Sequence, residues 1–261
     1  MKRGQIIYYT DEQNDEFSTA RITPRRIDEN YRYLRTSPIG KIGHFFWYRI
    51  IAAPLAFLYT KIVLRHKIIG KEKLAHHKKN GYFIYANHTQ AVGDALMPHM
   101  LDPLRDKYVI VHPNNVSMPL LGKITPYLGA LPLPDTLGAA KNFSLALGQR
   151  VREGRGIVIY PEAHIWPYYT KIRPFGDASY QYPVKYGRPS FTFTNTYQKR
   201  RFSKKPRILT YIDGPFYPNT ALSPREQRRE LRDRIYLAMC HDAEKSTVVY
   251  IEYQKKEACD K

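Results

Sequence analysis

The segment YFIYANHTQAVGD, residues 82–94, contains the strongest fold signal in this sequence. Its first five residues are apolar or aromatic and predict a buried strand that ends just before His88. The carboxyl ends of strands in α/β sheets expose reactive groups, and an imidazole placed there can accept a proton from a substrate hydroxyl. A nearby carboxylate can hold the imidazole tautomer, so we predict that His88 and Asp94 form a catalytic pair.

The spacing of His88 and Asp94 restricts how they can meet. On one helix, residues six apart would lie about 120° apart, because each residue turns the helix by about 100°. The two side chains can therefore meet only if His88 stays in a loop before a helix that follows Gly93. A histidine beside an aspartate is also a common structural pair, so the pair alone leaves both roles open.

Short apolar runs alternate with amphipathic helical patterns after residue 65, which predicts a mixed α/β domain. Helical patterns follow Gly93, cover Met118–Leu128 and Ala139–Glu153, and begin again at Ser223, a good capping residue. We therefore predict a single mixed-sheet domain over residues 66–261 with helices on both faces. The predicted strands are 66–69, 82–86, 108–111, 156–160, 190–195 and 208–212.

Two segments precede this domain. Residues 1–41 are mostly polar and predict an arm, with a short strand at Gln5–Tyr9 and a helix after Pro24. Residues 42–65 are the most apolar stretch, but two basic residues and a proline interrupt them, whereas a membrane-spanning helix needs about 20 consecutive apolar residues. Aromatic helices with basic flanks are typical of the membrane interface, so we predict an interfacial helix, with a buried core helix as the alternative.

The charge balance predicts an anionic partner. The 261 residues include 42 Lys and Arg against 23 Asp and Glu, a formal net charge of +19. The densest basic run, residues 199–207, predicts a contact with anionic phospholipid headgroups, and a solvated loop is its alternative. We predict no nucleic-acid partner, because the basic residues are spread along the chain without a zinc finger, RNP-like strand or basic zipper. Cys240 and Cys259 have no metal-binding spacing, so we also predict no metal site.

Further motifs stand in a fixed order around the 82–94 segment. A strand-like lead-in with Gly and Glu precedes it, two Gly- and Pro-containing blocks come after it, and a Pro-Phe segment and a last strand follow those. The motifs are HKIIGKEKL at 66–74, MPLLGK at 118–123 with LGALPLP at 128–134, GIVIYPE at 156–162, RPF at 173–175 and GRPSFTF at 187–193.

In this order the motifs resemble the glycerolipid acyltransferase superfamily, best known from the 1-acylglycerol-3-phosphate acyltransferases. The resemblance covers about residues 42–240. It implies that His88 is the general base, that Asp94 orients it, and that an acceptor hydroxyl attacks an acyl thioester without an acyl-enzyme intermediate. It calls for no cofactor beyond a thioester of coenzyme A or acyl carrier protein as co-substrate. It also implies that Glu162 orients part of the site, and it assigns Asn87, Gly129 and Glu162 to the substrate-binding residues.

The sequence departs from the family pattern at three places. Five residues separate His88 from Asp94 where the family usually has four, Asp135 stands where the second block ends in Arg, and Ala-His-Ile at 163–165 replaces Gly-Thr-Arg. Phosphate binding is therefore not carried over from the family. The basic residues that could take this role are Lys171, Arg173 and Arg188, since guanidinium groups suit phosphate oxygens.

The resemblance implies an acyltransferase that acts on a lysophospholipid, 1-acylglycerol-3-phosphate above all. The basic residues suit anionic lipid, so we predict that the protein works at the cytoplasmic face of a cell membrane. Two alternatives stay open: an acyltransferase with another lipid or glycolipid acceptor, and a catalytically inactive relative that binds lipid. An aromatic cluster follows Glu162, and it could line an acyl or headgroup pocket, contact the lipid interface or pack in the core. The cluster consists of His164, Trp166, Tyr168 and Tyr169.

Overall fold

A computed structural model describes residues 3–17, 22–77 and 79–256 of this protein. Short strands and helices alternate along most of the chain, as the sequence predicts. The strands are β1 (Gln5–Tyr9), β2 (Lys67–Ile69), β3 (Tyr82–Ala86), β4 (Lys107–Val111), β5 (Ala130–Pro132), β6 (Gly156–Ile159), β7 (Ser190–Arg200), β8 (Ser203–Tyr211) and β9 (Ile251–Lys255). The helices are α1 (Pro38–Val63), α2 (Gly93–Leu96), α3 (Leu121–Ile124), α4 (Leu137–Arg152), α5 (Gln181–Tyr186) and α6 (Pro224–Ala243).

Seven strands form a mixed sheet in the order β2-β8-β7-β3-β6-β4-β5. The five strands from β7 to β5 are parallel, whereas β8 runs antiparallel to β7 and pairs with β2 in parallel. The parallel strands read as apolar runs because helices cover both of their faces. Strands β1 and β9 pair separately, as a parallel two-stranded sheet near the two ends of the chain.

Alternate residues of the central strands point into two cores. Phe83 and Tyr85 of β3 pack with α4 and α6 in one core, whereas Ile84 packs with Leu64 and Met97 in the other. Helices α4 and α6 therefore lie on one face of the sheet, and the end of α1 lies on the opposite face. The predicted single mixed-sheet α/β architecture, with helices on both faces and an apolar helix before it, is confirmed.

Helix α1 begins four residues earlier than the apolar pattern alone predicts. Ser37 caps it by accepting a hydrogen bond from the Gly40 amide, and Pro38 occupies the first turn. A π-helical stretch, Phe46–Ala52, precedes Pro54, whose ring removes a backbone donor and crowds the preceding turn. In the described part of the chain, α1 is the one helix long and apolar enough to cross a membrane. Its exposed apolar residues are Ile39, Ile42, Phe45, Phe46, Ile50, Leu55, Phe57, Leu58, Ile62 and Val63.

The segment before α1 is extended, so the predicted helix after Pro24 is wrong. Residues 22–36 contain no helix. The Ile27 amide donates to the Asp135 carboxylate at 2.7 Å, and the Asp135 amide donates to the Ile27 carbonyl at 3.0 Å. Ile27 and Tyr33 are buried in the core beside α4. These tertiary contacts replace the local hydrogen bonds of a helix, and they place part of the predicted 1–41 arm inside the domain.

Trp166, the largest residue of the aromatic cluster after Glu162, packs in the interior. Trp166 is fully buried, and its ring contacts Tyr9, Phe17 and Tyr253 from the two ends of the chain. The Trp166 indole also donates to the Asp15 carbonyl at 2.8 Å. Of the three readings offered by the sequence, core packing describes this residue. The cluster ties the β1–β9 sheet and the following N-terminal residues to the loop after β6.

Candidate active site

The parallel register of the sheet brings the chemically interesting residues to one edge. Ala86 at the end of β3 lies beside Phe193 of β7, and Tyr85 lies beside Ile159 at the end of β6. Two residues further along each strand the chain reaches His88 and Asn195, and the β6 loop reaches Glu162 soon afterwards. These groups therefore gather at the carboxyl edge, where open α/β sheets bind their ligands.

His88 and Asp94 meet directly, although five residues separate them. The Nδ1 atom of His88 lies 2.8 Å from Oδ2 of Asp94. His88 stays in the loop after β3 and Asp94 lies in the first turn of α2, which begins at Gly93. The Gln90 amide donates to the same carboxylate oxygen at 2.8 Å, while the Asp94 amide donates to the Gln90 carbonyl at 2.9 Å. This reciprocal turn accommodates the extra residue and returns Asp94 to the imidazole.

Asp94 is buried, with 2 % of its surface exposed. Its second oxygen, Oδ1, accepts a hydrogen bond from the Asn195 amide group at 3.3 Å. Burial raises the pKa of the Asp94 carboxyl, and the hydrogen bonds from His88 and the Gln90 amide oppose that rise. Because the carboxylate accepts at Nδ1–H, the neutral imidazole has its lone pair at Nε2, where it can accept a proton.

The backbone and ring of His88 are fixed by the loop after β6. The His88 amide donates to Oε2 of Glu162 at 3.0 Å, and its carbonyl accepts from the Trp166 amide at 3.0 Å. Its ring stacks on Tyr160 with centroids 4.5 Å apart, and the Tyr160 hydroxyl donates to the Asp94 carbonyl at 2.6 Å. The His88 side chain is 18 % exposed, and no described residue hydrogen-bonds to Nε2. A substrate hydroxyl could therefore reach Nε2 from solvent.

Glu162 and Arg173 form a buried ion pair beneath His88. The Arg173 guanidinium lies 3.5 Å from Glu162, and their side chains are 1 % and 0 % exposed. Oε1 of Glu162 accepts from the Arg173 amide at 3.0 Å, so one carboxylate binds the backbones of both flanking loops. Burial raises the pKa of Glu162, and the positive charge of Arg173 opposes this. Glu162 thus orients the His88 loop through its backbone.

Three of the predicted substrate-binding residues lie in chain segments that contact the His88 loop or Glu162, but they differ in access. Asn87 is buried, and its side chain exchanges two hydrogen bonds with the Asn195 backbone, at 2.8 and 3.1 Å. Arg173 is fully buried, and its guanidinium donates to the backbone carbonyls of Glu12, Glu162 and His164. Only Lys171, which is exposed, could contact a ligand from its present position.

The remaining two predicted substrate-binding residues lie at the opposite edge of the sheet. Arg188 precedes β7, whose first residue Ser190 pairs with Phe83 near the start of β3. Gly129 precedes β5, and its carbonyl accepts from the amide of Val109 in β4, two residues after that strand begins. At about 3.3 Å per residue, this edge is about 17 Å from His88 along the strand direction. The structure therefore does not bring Arg188 and Gly129 to the His88 site.

Gly129 has a backbone role that predicts a stability effect. Its φ of +91° is left-handed, and a Cβ would lie 2.5 Å from the Lys107 carbonyl oxygen. We expect Gly129→Ala to lower the free energy of unfolding by at least about 1–2 kcal/mol, measured by urea denaturation. The control is Gly176→Ala, because Gly176 has open space around its Cβ position. Equal stability of the two variants would contradict the prediction.

The opposite edge also holds a charged cavity of about 270 Å³. Asp106 in its wall pairs with His44, Arg49 and Arg155 at 2.6–3.3 Å. Because its wall includes the start of β4, this cavity lies away from His88. Among the described residues, no group of three or more His, Cys, Asp or Glu side chains is arranged to hold a metal ion.

Burial of Lys107, at the start of β4, should make the stability of the protein depend on pH. It is fully buried, and burial lowers its pKa to about 7, whereas an unfolded lysine titrates near 10.4. Between these values the unfolded chain binds more protons than the folded one, so the free energy of unfolding should rise with pH. We expect urea denaturation of the wild type to show this rise relative to Lys107→Met between about pH 7 and pH 10. Parallel pH profiles would contradict it.

Several residues of the site were not predicted from the sequence. Asn195 binds Asp94, its own side-chain oxygen accepts from the Thr210 hydroxyl at 2.6 Å, and that hydroxyl lies 2.7 Å from Nε2 of His66. The polar residues inside the β7 pattern were the only sequence signal for this buried chain of hydrogen bonds. Tyr160 was placed in a strand, but its stacking on His88 depends on the β3–β6 register.

No protein-family model and no curated protein sequence matches this chain. Among solved structures, it is similar to the 1-acyl-sn-glycerophosphate (LPA) acyltransferase PlsC from Thermotoga maritima. The match has a TM-score of 0.53 and 16 % sequence identity, and it covers 80 % of this chain and 81 % of that chain. The chain has the PlsC fold. The resemblance predicted from the sequence motifs is thus confirmed for the fold, and the shared PlsC architecture provides the frame for the site described above.

Proposed function

We propose that this protein is an acyltransferase that moves a fatty acyl group from a thioester to the hydroxyl of a lysophospholipid. The observation that carries the proposal is the His88–Asp94 pair, whose Nε2 atom has no partner among the described residues and lies at the carboxyl edge of a PlsC-like sheet. The carboxylate stabilises the imidazolium that forms when Nε2 takes a proton. The nucleophile is supplied by the substrate.

The reaction proceeds by general base catalysis in this proposal. The acceptor hydroxyl gives its proton to Nε2 of His88 while its oxygen attacks the thioester carbonyl carbon. The carbonyl electron pair moves to oxygen and then returns, which breaks the carbon–sulfur bond. The departing sulfur takes the proton back from the imidazolium, so the products are an ester and a free thiol. Thioesters of coenzyme A and of acyl carrier protein present the same reacting atoms.

We propose 1-acylglycerol-3-phosphate as the first acceptor to test. A second class of acceptor is also a candidate, because Asp135 stands where the family has an arginine. The Asp135 carboxylate binds the Ile27 amide. Of the three basic residues predicted to bind phosphate, Lys171 is exposed and lies two residues before Arg173, whose backbone amide binds Glu162. An acyltransferase with another lipid or glycolipid acceptor is therefore the second candidate.

We further propose that α1 attaches the protein to the cytoplasmic face of a membrane. Ten large apolar side chains along this helix are exposed, a pattern that lipid would cover. The net charge of +19 favours a surface that contains anionic phospholipid. A lipid substrate in the same membrane would then be close to the site.

The test is transfer of a labelled acyl group in mixed micelles to a panel of lyso-acceptors. Acyl-CoA and acyl carrier protein thioesters are used as donors in parallel. We expect labelled phosphatidic acid from 1-acylglycerol-3-phosphate. Product from a different acceptor alone would select the second candidate. Absence of product with every donor and acceptor, together with intact vesicle binding, would replace the proposal by a lipid-binding protein without transferase activity.

A further inference from the structure

The hairpin between β7 and β8 ends in an exposed aromatic residue surrounded by positive charge. Arg201 and Phe202 form its two-residue turn, since Arg200 pairs with Ser203. Phe202 is 90 % exposed, and the Arg201 guanidinium lies 5.2 Å from its ring centroid. The basic residues of the hairpin tip are Lys199, Arg200, Arg201, Lys204, Lys205 and Arg207.

The positive charge of the hairpin tip is not neutralised within the described chain. None of its six basic side chains has a carboxylate within 4.0 Å among the described residues. Partial burial lowers the pKa of Arg200, and repulsion from Arg65 and Arg207 lowers it further. A cluster of like charges around one exposed phenyl ring suits a surface that is anionic outside and apolar inside.

The hairpin tip adjoins the exposed end of α1. The Arg200 guanidinium donates to the Val63 carbonyl at 2.8 Å, which caps the last turn of the helix. The Ile208 amide donates to the Leu64 carbonyl at 3.2 Å. Ile62 is 63 % exposed and Val63 is 46 % exposed. The apolar side chains at the end of α1 and Phe202 therefore belong to neighbouring parts of one surface.

The same strand connects the hairpin tip to the His88 site. Asn195 of β7 binds the Asp94 carboxylate, and Arg200 lies five residues further along β7, about 17 Å away. A rigid strand of this length transmits the orientation of the tip to the site. If the tip lies on a bilayer together with α1, His88 has a fixed distance and angle to that bilayer.

We propose that the β7–β8 hairpin tip is a second membrane contact, separate from α1, in which Phe202 inserts into the lipid and the surrounding basic residues bind anionic headgroups. The occupant is a bilayer that contains anionic phospholipid. The inference rests on the proposed attachment of α1 to a membrane and adds a second point of contact. Two contacts determine the orientation of the protein on the bilayer, which one helix alone leaves free to rotate about its axis.

Binding to sedimented vesicles of phosphatidylcholine, with or without phosphatidylglycerol, tests the two components separately. We expect Phe202→Ser to lower the partition coefficient at least about tenfold on both vesicle types. Lys204→Glu combined with Lys205→Glu should lower it at least about fivefold per residue, and only on vesicles with phosphatidylglycerol. All three residues are exposed in the hairpin tip, so the fold should tolerate these changes.

Matched controls come from α6, which packs on the opposite face of the sheet from the end of α1. Leu237 is 67 % exposed there, and Arg225 and Arg229 are exposed basic residues. Leu237→Ser and the double variant Arg225→Glu with Arg229→Glu change hydropathy and charge by comparable amounts. We expect wild-type partition for the first and at most a small loss for the second. Losses equal to those of the hairpin variants would overturn the proposal.

Insertion depth is measured with Phe202→Trp in a Trp47→Phe background, using brominated phospholipids as quenchers. Trp166 is fully buried and provides the unquenched baseline. Quenching of the new tryptophan is expected, and its absence on bound protein would overturn the proposal. Turnover of a water-soluble short-chain lyso-acceptor separates the membrane-contact proposal from the acyltransferase proposal. The hairpin variants should turn this acceptor over at the wild-type rate. If the wild type itself fails to turn it over, the acyltransferase proposal is contradicted, whereas the vesicle result still stands.

Discussion

Replacing His88 with alanine should lower kcat for acyl transfer by about 10²–10⁴-fold, because general base catalysis contributes about this much. The side chain is partly exposed, and among the described residues it hydrogen-bonds to Asp94 alone, so its removal leaves the backbone contacts of the loop in place. Asp94→Asn should lower kcat in the same range, since an amide would favour the other imidazole tautomer. Initial rates at saturating acceptor measure both effects.

Two further measurements make the His88 result interpretable. His76→Ala removes an exposed histidine from a short 3₁₀ helix after β2 and should leave kcat unchanged. Circular dichroism and urea denaturation establish that each variant is folded. A folded His88→Ala protein with wild-type kcat would remove His88 from the role of base. A variant that loses activity only by unfolding would instead make the His88–Asp94 contact structural.

The second large effect concerns the buried ion pair beneath the site. Arg173→Met should lower the free energy of unfolding by about 3–5 kcal/mol, because it leaves the Glu162 carboxylate buried without its charge partner. The lost hydrogen bonds to the Glu12, Glu162 and His164 carbonyls add to this cost. Urea denaturation at neutral pH measures the difference.

The neighbouring Lys171 provides the control for this variant. Lys171 is exposed, so Lys171→Met should change the free energy of unfolding by less than about 0.5 kcal/mol. Adding Glu162→Gln to Arg173→Met removes the uncompensated charge and should restore part of the lost stability. Equal stability of the Arg173 and Lys171 variants would show that Arg173 does not act from the interior. In that case the prediction from the sequence that Arg173 binds phosphate would be tested directly in a binding assay.

The sequence was sufficient for the elements whose patterns are local. Short apolar runs predicted four of the five parallel strands, β3, β4, β6 and β7, because strands covered on both faces have continuous apolar sequences, whereas the three-residue β5 was not predicted. The apolar stretch before the domain predicted α1, and the strand-to-loop transition at His88 placed this residue at the carboxyl edge. The order of the motifs also pointed to the PlsC fold. The strands, α1 and the loop at His88 depend on residues close together in the chain.

Strand order and register decided what the sequence left open. Arg188 and Gly129 stand in motifs of the right type, yet each precedes its strand and therefore lies at the edge opposite His88. Arg173 follows Glu162 closely in sequence, but the loop folds inward and buries it. The extended path of residues 22–36 likewise follows from contacts with Asp135, which is distant in sequence.

The catalytic geometry divides in the same way. The sequence alone determined the residue types at the site and the polar loop after β3. It also required that His88 lie outside the helix that holds Asp94. The tertiary structure decided that Asp94 turns back to the imidazole, because Gln90, Asn195 and His88 all donate to its buried carboxylate. The hydrogen bond from Asn195 cannot be read from local pattern, since it depends on how β7 is placed beside β3 in the sheet.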